Sequence, residues 1–118
     1  MSTHDLVRQL INGMPRRLDK EAAKGLDTIL QFELSGDAGG AFAIMIKDQT
    51  CWVEETLSAD ADATMKMSAD TYIDLAFGRI TGPQMFYKRK LRFDGSLNLI
   101  MKIHKLFPSL SKDEYSLD

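Results

Sequence analysis

Hydrophobic positions recur at two spacings along the 118 residues, and the changes of spacing divide the chain. Leu6, Val7, Leu10 and Ile11 repeat at helical intervals, which predicts a first helix from Asp5 to Gly13, with Gly13 and Pro15 as its stop. The stretch Arg16 to Lys24 is polar; Leu18, Ala22 and Ala23 allow a second short helix there, closed by Gly25. The period then drops to two. Leu30, Phe32 and Leu34 alternate with Gln31 and Glu33, the pattern of a strand. A turn cluster, Ser35 to Gly40, leads into Phe42, Ile44 and Ile46, a second strand whose other face (Ala43, Met45) is also apolar. Such a strand is buried on both faces or covers a cavity. Asp48 and Gln49 turn the chain into a third strand, Cys51 to Thr56, with Trp52 and Val53 on opposite faces. An acidic loop, Ser58 to Asp62, precedes a fourth strand, Ala63 to Met67.

Helical spacing returns at Ser68, a capping residue with Asp70 in the first turn behind it. Tyr72, Ile73, Ala76 and Phe77 form one stripe, and Gly78 ends it. Gly82-Pro83 opens a short helix. Leu91 and Phe93 then face one side of a short strand, Lys90 and Arg92 the other. From Ser96 a last helix carries Leu97, Leu99, Ile100, Met101, Ile103, Leu106 and Phe107. That is broader than the roughly 100° stripe a surface helix needs. The surplus calls for a cover: the core, a partner subunit or a bound apolar molecule. Four successive strands with short loops predict an antiparallel meander, which the fifth strand joins. The expected class is α+β: a five-stranded, mainly antiparallel sheet with helices on one face, in a single domain spanning the whole chain. Ser109 to Asp118 is either a loose tail or a segment lying back over the domain.

Composition narrows the function classes. The net charge of -2 argues against nucleic acid as a partner. One cysteine, Cys51, excludes an intramolecular disulfide and suits a reducing compartment. No stretch reads as a signal peptide or membrane span, and the last residues do not read as a peroxisomal signal, so a cytoplasmic protein is expected. Seven methionines are many for this length. They serve either as core filler or as an adaptable wall for varied apolar shapes.

Candidate chemistry is sparse. Gly36-Asp37-Ala38-Gly39-Gly40 lacks the Lys-Ser/Thr of a phosphate loop and lies between strands, so it reads as a hairpin turn. His4 and His104 are far apart, Cys51 has no recognisable partner, and no metal-ligand cluster exists. Neither catalysis, a metal nor a cofactor is expected. Lys88, Arg89, Lys90 and Arg92 form a basic knot beside Phe86 and Tyr87. It reads as a solvated face, as a contact for an anionic membrane, or, against the net charge, as a nucleic-acid patch.

The order A-D-A-T-M-K-M-S-x-D-x-Y-x-D-L-x-x-G-x-I-x-G-P-x-x-F, then K-L-R-F-D-G-S-L-N-L-I-M-K-I, resembles the lipid-binding domain of the type-two sterol carrier protein family. Asp62, Gly78, Phe86, Lys90-Leu91, Gly95 and the Leu99-Met101-Leu106 helix carry the resemblance, which extends from Leu26 onward. Arg89 departs from it, because the family usually has glycine there. The resemblance implies non-enzymatic binding and transfer of an apolar ligand: a fatty acid, a fatty acyl-CoA or a sterol-like lipid. The tail would lie in an internal hydrophobic cavity between the sheet (Phe42, Ile44, Trp52, Met65, Met67) and the helices (Phe77, Phe86, Leu99, Met101, Ile103). Lys88, Arg89, Lys90 and Arg92 would meet the head group or an anionic membrane. The alternative is an accessory module with no ligand, its last helix packed on a protein partner or on a second copy in a homodimer.

Overall fold

The structure, a computed structural model, describes residues 2–110. Its order is α1 (Thr3–Asn12), α2 (Met14–Arg17), β1 (Asp27–Ser35), β2 (Gly40–Lys47), β3 (Thr50–Glu54), β4 (Ala63–Ser68), α3 (Ala69–Ala76), α4 (Gly82–Tyr87), β5 (Arg92–Gly95) and α5 (Leu97–Leu106). The second short helix therefore starts before the Arg16 to Lys24 stretch where it was expected and takes in only Arg16 and Arg17 of it. Pro15 begins α2 rather than ending a helix, because the first turn of a helix tolerates a residue with no amide proton.

The sheet order is β3-β2-β1-β4-β5. The first three strands form the expected meander, but the fourth does not extend it. β4 returns past β2 and lies parallel to β1, pairing Leu30 with Ala63 and Phe32 with Met65; every other neighbour is antiparallel. The sheet is thus mixed, mostly antiparallel, in an α+β arrangement. The physical reason lies in the connection from β3 to β4. Gln31, on β1, is buried, and its Oε1 accepts a 2.6 Å hydrogen bond from the Ser58 amide. Asp62 then anchors the end of the crossing: its Oδ2 accepts from the Ile29 amide and the Thr28 hydroxyl, each at 2.8 Å. Gly95 sits against this anchor at φ +88°, where a Cβ would collide with the Asp62 carbonyl.

Register sorts the two faces. Leu30, Phe32, Phe42, Ile44, Met65 and Met67 share one face. With Leu6, Val7, Leu10 and Ile11 of α1, Tyr72 and Ile73 of α3, and Leu99, Ile103 and Leu106 of α5 they form one core. The rings of Phe32 and Tyr72 meet edge to face at 5.3 Å. Arg8 fastens one end, donating to the Ala38 and Gly39 carbonyls at 3.0 and 2.9 Å, with its guanidinium 5.3 Å from the Phe42 ring centre. Leu110 is buried, and its amide donates to the Ala76 carbonyl at 2.9 Å, so the chain lies back over the domain at least that far. The remaining part of the predicted tail falls outside the described residues.

Candidate functional site

Seven of the ten expected tail-contacting residues come together. Phe42, Ile44, Met65, Met67, Phe77, Leu99 and Ile103 all belong to the sheet–helix core. The other three do not join them. Trp52 pairs with Met45, while its neighbour Val53 pairs with Ile44, so the indole lies on the other face and is 44% exposed. Phe86 is on the outside of α4, 6.3 Å from the Phe93 ring. Met101 is 64% exposed. It shares a stripe with Leu97, four residues earlier, rather than with Leu99, Ile103 and Leu106, so the surplus apolar width of α5 is uncovered by the described residues.

The expected cavity between sheet and helices is not open: the core layer is closely filled. Leu30, Phe32, Phe42, Ile44, Met65 and Leu106 are each 2% exposed or less. Open space lies next to the basic knot instead. A cleft of about 480 Å³ is bounded by Phe86, Tyr87, Arg89, Leu91 and Arg92. A second, of about 580 Å³, lies beside the ends of β1 and β4; its rim includes Lys66, Arg89, Lys90 and Arg92, with Ser35 and Ser68. Leu34 and Met67 line it as well, and both are core residues. Arg89 and Arg92 border both clefts.

Local structure explains how the knot is displayed. Thr81 caps α4, and Gln84 reciprocates by accepting the Thr81 amide at 3.0 Å. Met85 at 0% and Leu91 at 9% exposure root the segment in the core, while residues 86–90 are all exposed. Arg89 stands at φ +57°, a left-handed conformation that glycine adopts without strain. The sequence therefore lacks, at this turn, the glycine that commonly marks such a conformation. Lys66 contacts Glu33 at 3.9 Å and Asp94 at 3.6 Å. Among the described residues, Lys88, Arg89, Lys90 and Arg92 have no carboxylate partner. Lys66 and Leu34 were missed as cleft residues. Their alternation along β4 and β1 marked which face they occupy, but only the sheet order brings them beside the knot.

Cys51 is half-buried against the core, and burial pushes its thiol up to about 11, which makes it a poor nucleophile near neutrality. Among the described residues, no group of three or more His, Cys, Asp or Glu could hold a metal ion, and no helix is long and apolar enough to cross a membrane.

Known proteins share this architecture. Hydroxysteroid dehydrogenase-like protein 2 of Mus musculus is 28% identical over 95 residues, which are 80% of this chain and 19% of that protein. The chain thus spans about a fifth of the length of this relative. The sec-alkylsulfatase Pisa1 from Pseudomonas sp. superposes with a TM-score of 0.73 at 22% identity, over 83% of this chain and 16% of its own. Sterol Carrier Protein-2 from Aedes aegypti, solved in complex with palmitate, superposes with a TM-score of 0.66 at 20% identity, over 94% of this chain and 100% of its own. These likenesses fix the fold, and the sequence match to one family runs from residue 8 to residue 108, nearly the whole sheet–helix unit described above: the chain belongs to the SCP-2 sterol transfer family.

Proposed function

We propose that this chain binds a long-chain lipid without catalysis and passes it on, as a single lipid-binding domain in the cytoplasm. The ligand is a fatty acid, its CoA ester or a sterol-like molecule. Its tail enters the layer between sheet and helices among Phe42, Ile44, Met65, Met67, Phe77, Leu99 and Ile103. An anionic head group rests at Arg89, Lys90 and Arg92. The observation that carries this reading is the double membership of Leu34 and Met67, which line the cationic cleft and belong to the core. A carboxylate held at that rim has its tail directed at the most yielding wall of the layer, because methionine is flexible and repacks at small cost. Each buried methylene contributes about 0.8 kcal/mol, so affinity needs few polar contacts. Membership of a sterol transfer family and a palmitate-bound relative of the same fold support lipid as the ligand class.

The test is titration of the purified protein with a fluorescent fatty acid, displaced in turn by palmitate, its CoA ester and a sterol. Wild type should bind at least one of them, and Met67→Trp, which fills the mouth, should bind about tenfold or more weakly while Met67→Leu binds normally. A wild type that takes none of the ligands ends the carrier reading.

A second reading rests on Leu97 and Met101, exposed together on α5, and on the much greater length of the mouse relative and the sulfatase. There the domain is an accessory module, and α5 packs on another protein or a second copy. Native mass spectrometry separates the two: a lipid adduct of the monomer supports the carrier, a bare dimer the module.

A further inference from the structure

We infer that the tip formed by the end of α4 and the turn into β5, residues 86–92, is the face by which this protein docks on an anionic phospholipid membrane. The inference rests on the carrier reading for its purpose, but its test does not. Three observations converge on the tip. Phe86 and Tyr87 are 60% and 85% exposed, although they adjoin the wholly buried Met85. Aromatic rings of this kind settle at the boundary between headgroups and acyl chains. Lys88, Arg89, Lys90 and Arg92 surround them, on a chain whose net charge is -2 and with no carboxylate partner among the described residues. Local charge opposite to the global charge gives the molecule a preferred approach to a negatively charged surface. Finally, the left-handed turn at Arg89 (φ +57°) lies between the buried Met85 and Leu91, so residues 86–90 project from the core as one exposed tip.

A nucleic acid would also answer to charge. It gains less from this surface, because one compact knot offers no stripe along which a strand could run, and the rest of the chain is acidic. The docking face also touches both clefts, since Arg89 and Arg92 border each of them. A membrane under the tip therefore faces the mouth through which a lipid is taken or delivered. At cytoplasmic salt the charged part of the contact is partly screened, which keeps docking reversible.

The experiment is co-sedimentation with phosphatidylcholine vesicles prepared with and without phosphatidylserine, at low and raised salt, alongside fatty-acid titration in solution. The probe variant is Tyr87→Ser with Lys88→Glu, two exposed positions at the tip. Wild type should sediment with phosphatidylserine vesicles and leave them as salt rises. The double variant should lose about 25-fold or more in vesicle partitioning, since each basic charge near an anionic surface is worth roughly fivefold. Its far-UV circular dichroism and urea midpoint should match wild type, and Tyr87→Trp with Lys88→Arg should keep vesicle binding. Equal binding to neutral vesicles, unchanged partitioning of the double variant, or tighter binding to duplex DNA at the same salt would each overturn the docking face. A wild type that follows phosphatidylserine yet takes up no fatty acid would support the docking face while ending the carrier reading.

Discussion

The turns that close α3 and α4 have one geometry and different residues. After α3 the Gly78 amide donates to the Leu75 carbonyl at 3.1 Å and the Arg79 amide to the Asp74 carbonyl at 2.8 Å. After α4 the Arg89 amide donates to the Phe86 carbonyl at 3.1 Å and the Lys90 amide to the Met85 carbonyl at 2.8 Å. Each turn has one residue at positive φ: Gly78 at +72° and Arg89 at +57°. The left-handed conformation costs an ordinary residue roughly 1–2 kcal/mol and glycine almost nothing. The next residue differs in a parallel way. Arg79 donates from Nε to Asp74 Oδ1 at 2.9 Å and lies 5.2 Å over the Phe77 ring, so its charge is used within its own helix. Lys90 has no such partner among the described residues. One turn is relaxed and neutralised; the other is strained and displays its charge. Among the described residues, Asp48 and Gln49 in the turn between β2 and β3 are the other non-glycine residues at positive φ, so it is the combination with unpaired charge that sets the α4 turn apart.

The largest effect that would sharpen this contrast is on the relaxed side. Gly78→Ala forces a Cβ into the left-handed region and brings it to 2.9 Å from Ser109 Oγ. It should destabilise the fold by about 2 kcal/mol, read as a lower urea midpoint with unchanged slope. On the strained side the sign reverses. Arg89→Gly relieves the backbone, less the entropy glycine adds to the unfolded chain, and should stabilise by about 0.5–1 kcal/mol. Arg89→Ala removes the same charge and keeps the strain, so its stability should stay within about 0.5 kcal/mol of wild type. Both variants should weaken fatty-acid binding several-fold, up to about tenfold, through the lost charged contact. If Arg89→Gly lowers stability, the left-handed turn is not a source of strain. If Arg89→Ala binds fatty acid as wild type does, the charge is not the reason for keeping it.

Much of this architecture was legible because alternation and capping are local. Leu30-Phe32-Leu34 and Met65-Met67 announced their strands, and Ser68 caps α3 as its position suggested, accepting from the Thr71 amide at 3.0 Å; Ser96 caps α5 in the same way, accepting from the Leu99 amide at 3.2 Å. What alternation does not encode is which strands are neighbours. Four strands in succession read as a meander, whereas in the fold the crossing segment is tied to β1, Ser58 to Gln31 and Asp62 to Thr28 and Ile29, and β4 lies on the far side of β1. The same gap misplaced Trp52. Parity separates it from Val53, but the pairing with β2 decides which of the two meets the helices. Met101 was misplaced for a helical reason: the broad apolar face of α5 was assigned to the ligand as a whole, and it divides into a buried stripe and an exposed one. The basic knot was visible as residues. Its connection to the core through Leu34 and Met67 exists only once β1 and β4 lie side by side.

The smallest effect is also the one that separates displayed charge from charge in general. Arg79 and Lys90 hold equivalent places after their helices, and both contribute to the same net charge. Arg79→Ala removes an exposed ion pair and a ring contact, which together stabilise by about 0.5–1 kcal/mol. Its thermal midpoint should fall by a few degrees. Its binding to phosphatidylserine vesicles should not change, because its guanidinium is held by Asp74 and Phe77 and lies outside both clefts. Lys90→Ala should show the opposite profile: an unchanged midpoint and about fivefold weaker vesicle partitioning. Equal losses of vesicle binding from the two variants would mean that only the sum of charges matters. The geometry of the α4 turn would then have no part in docking.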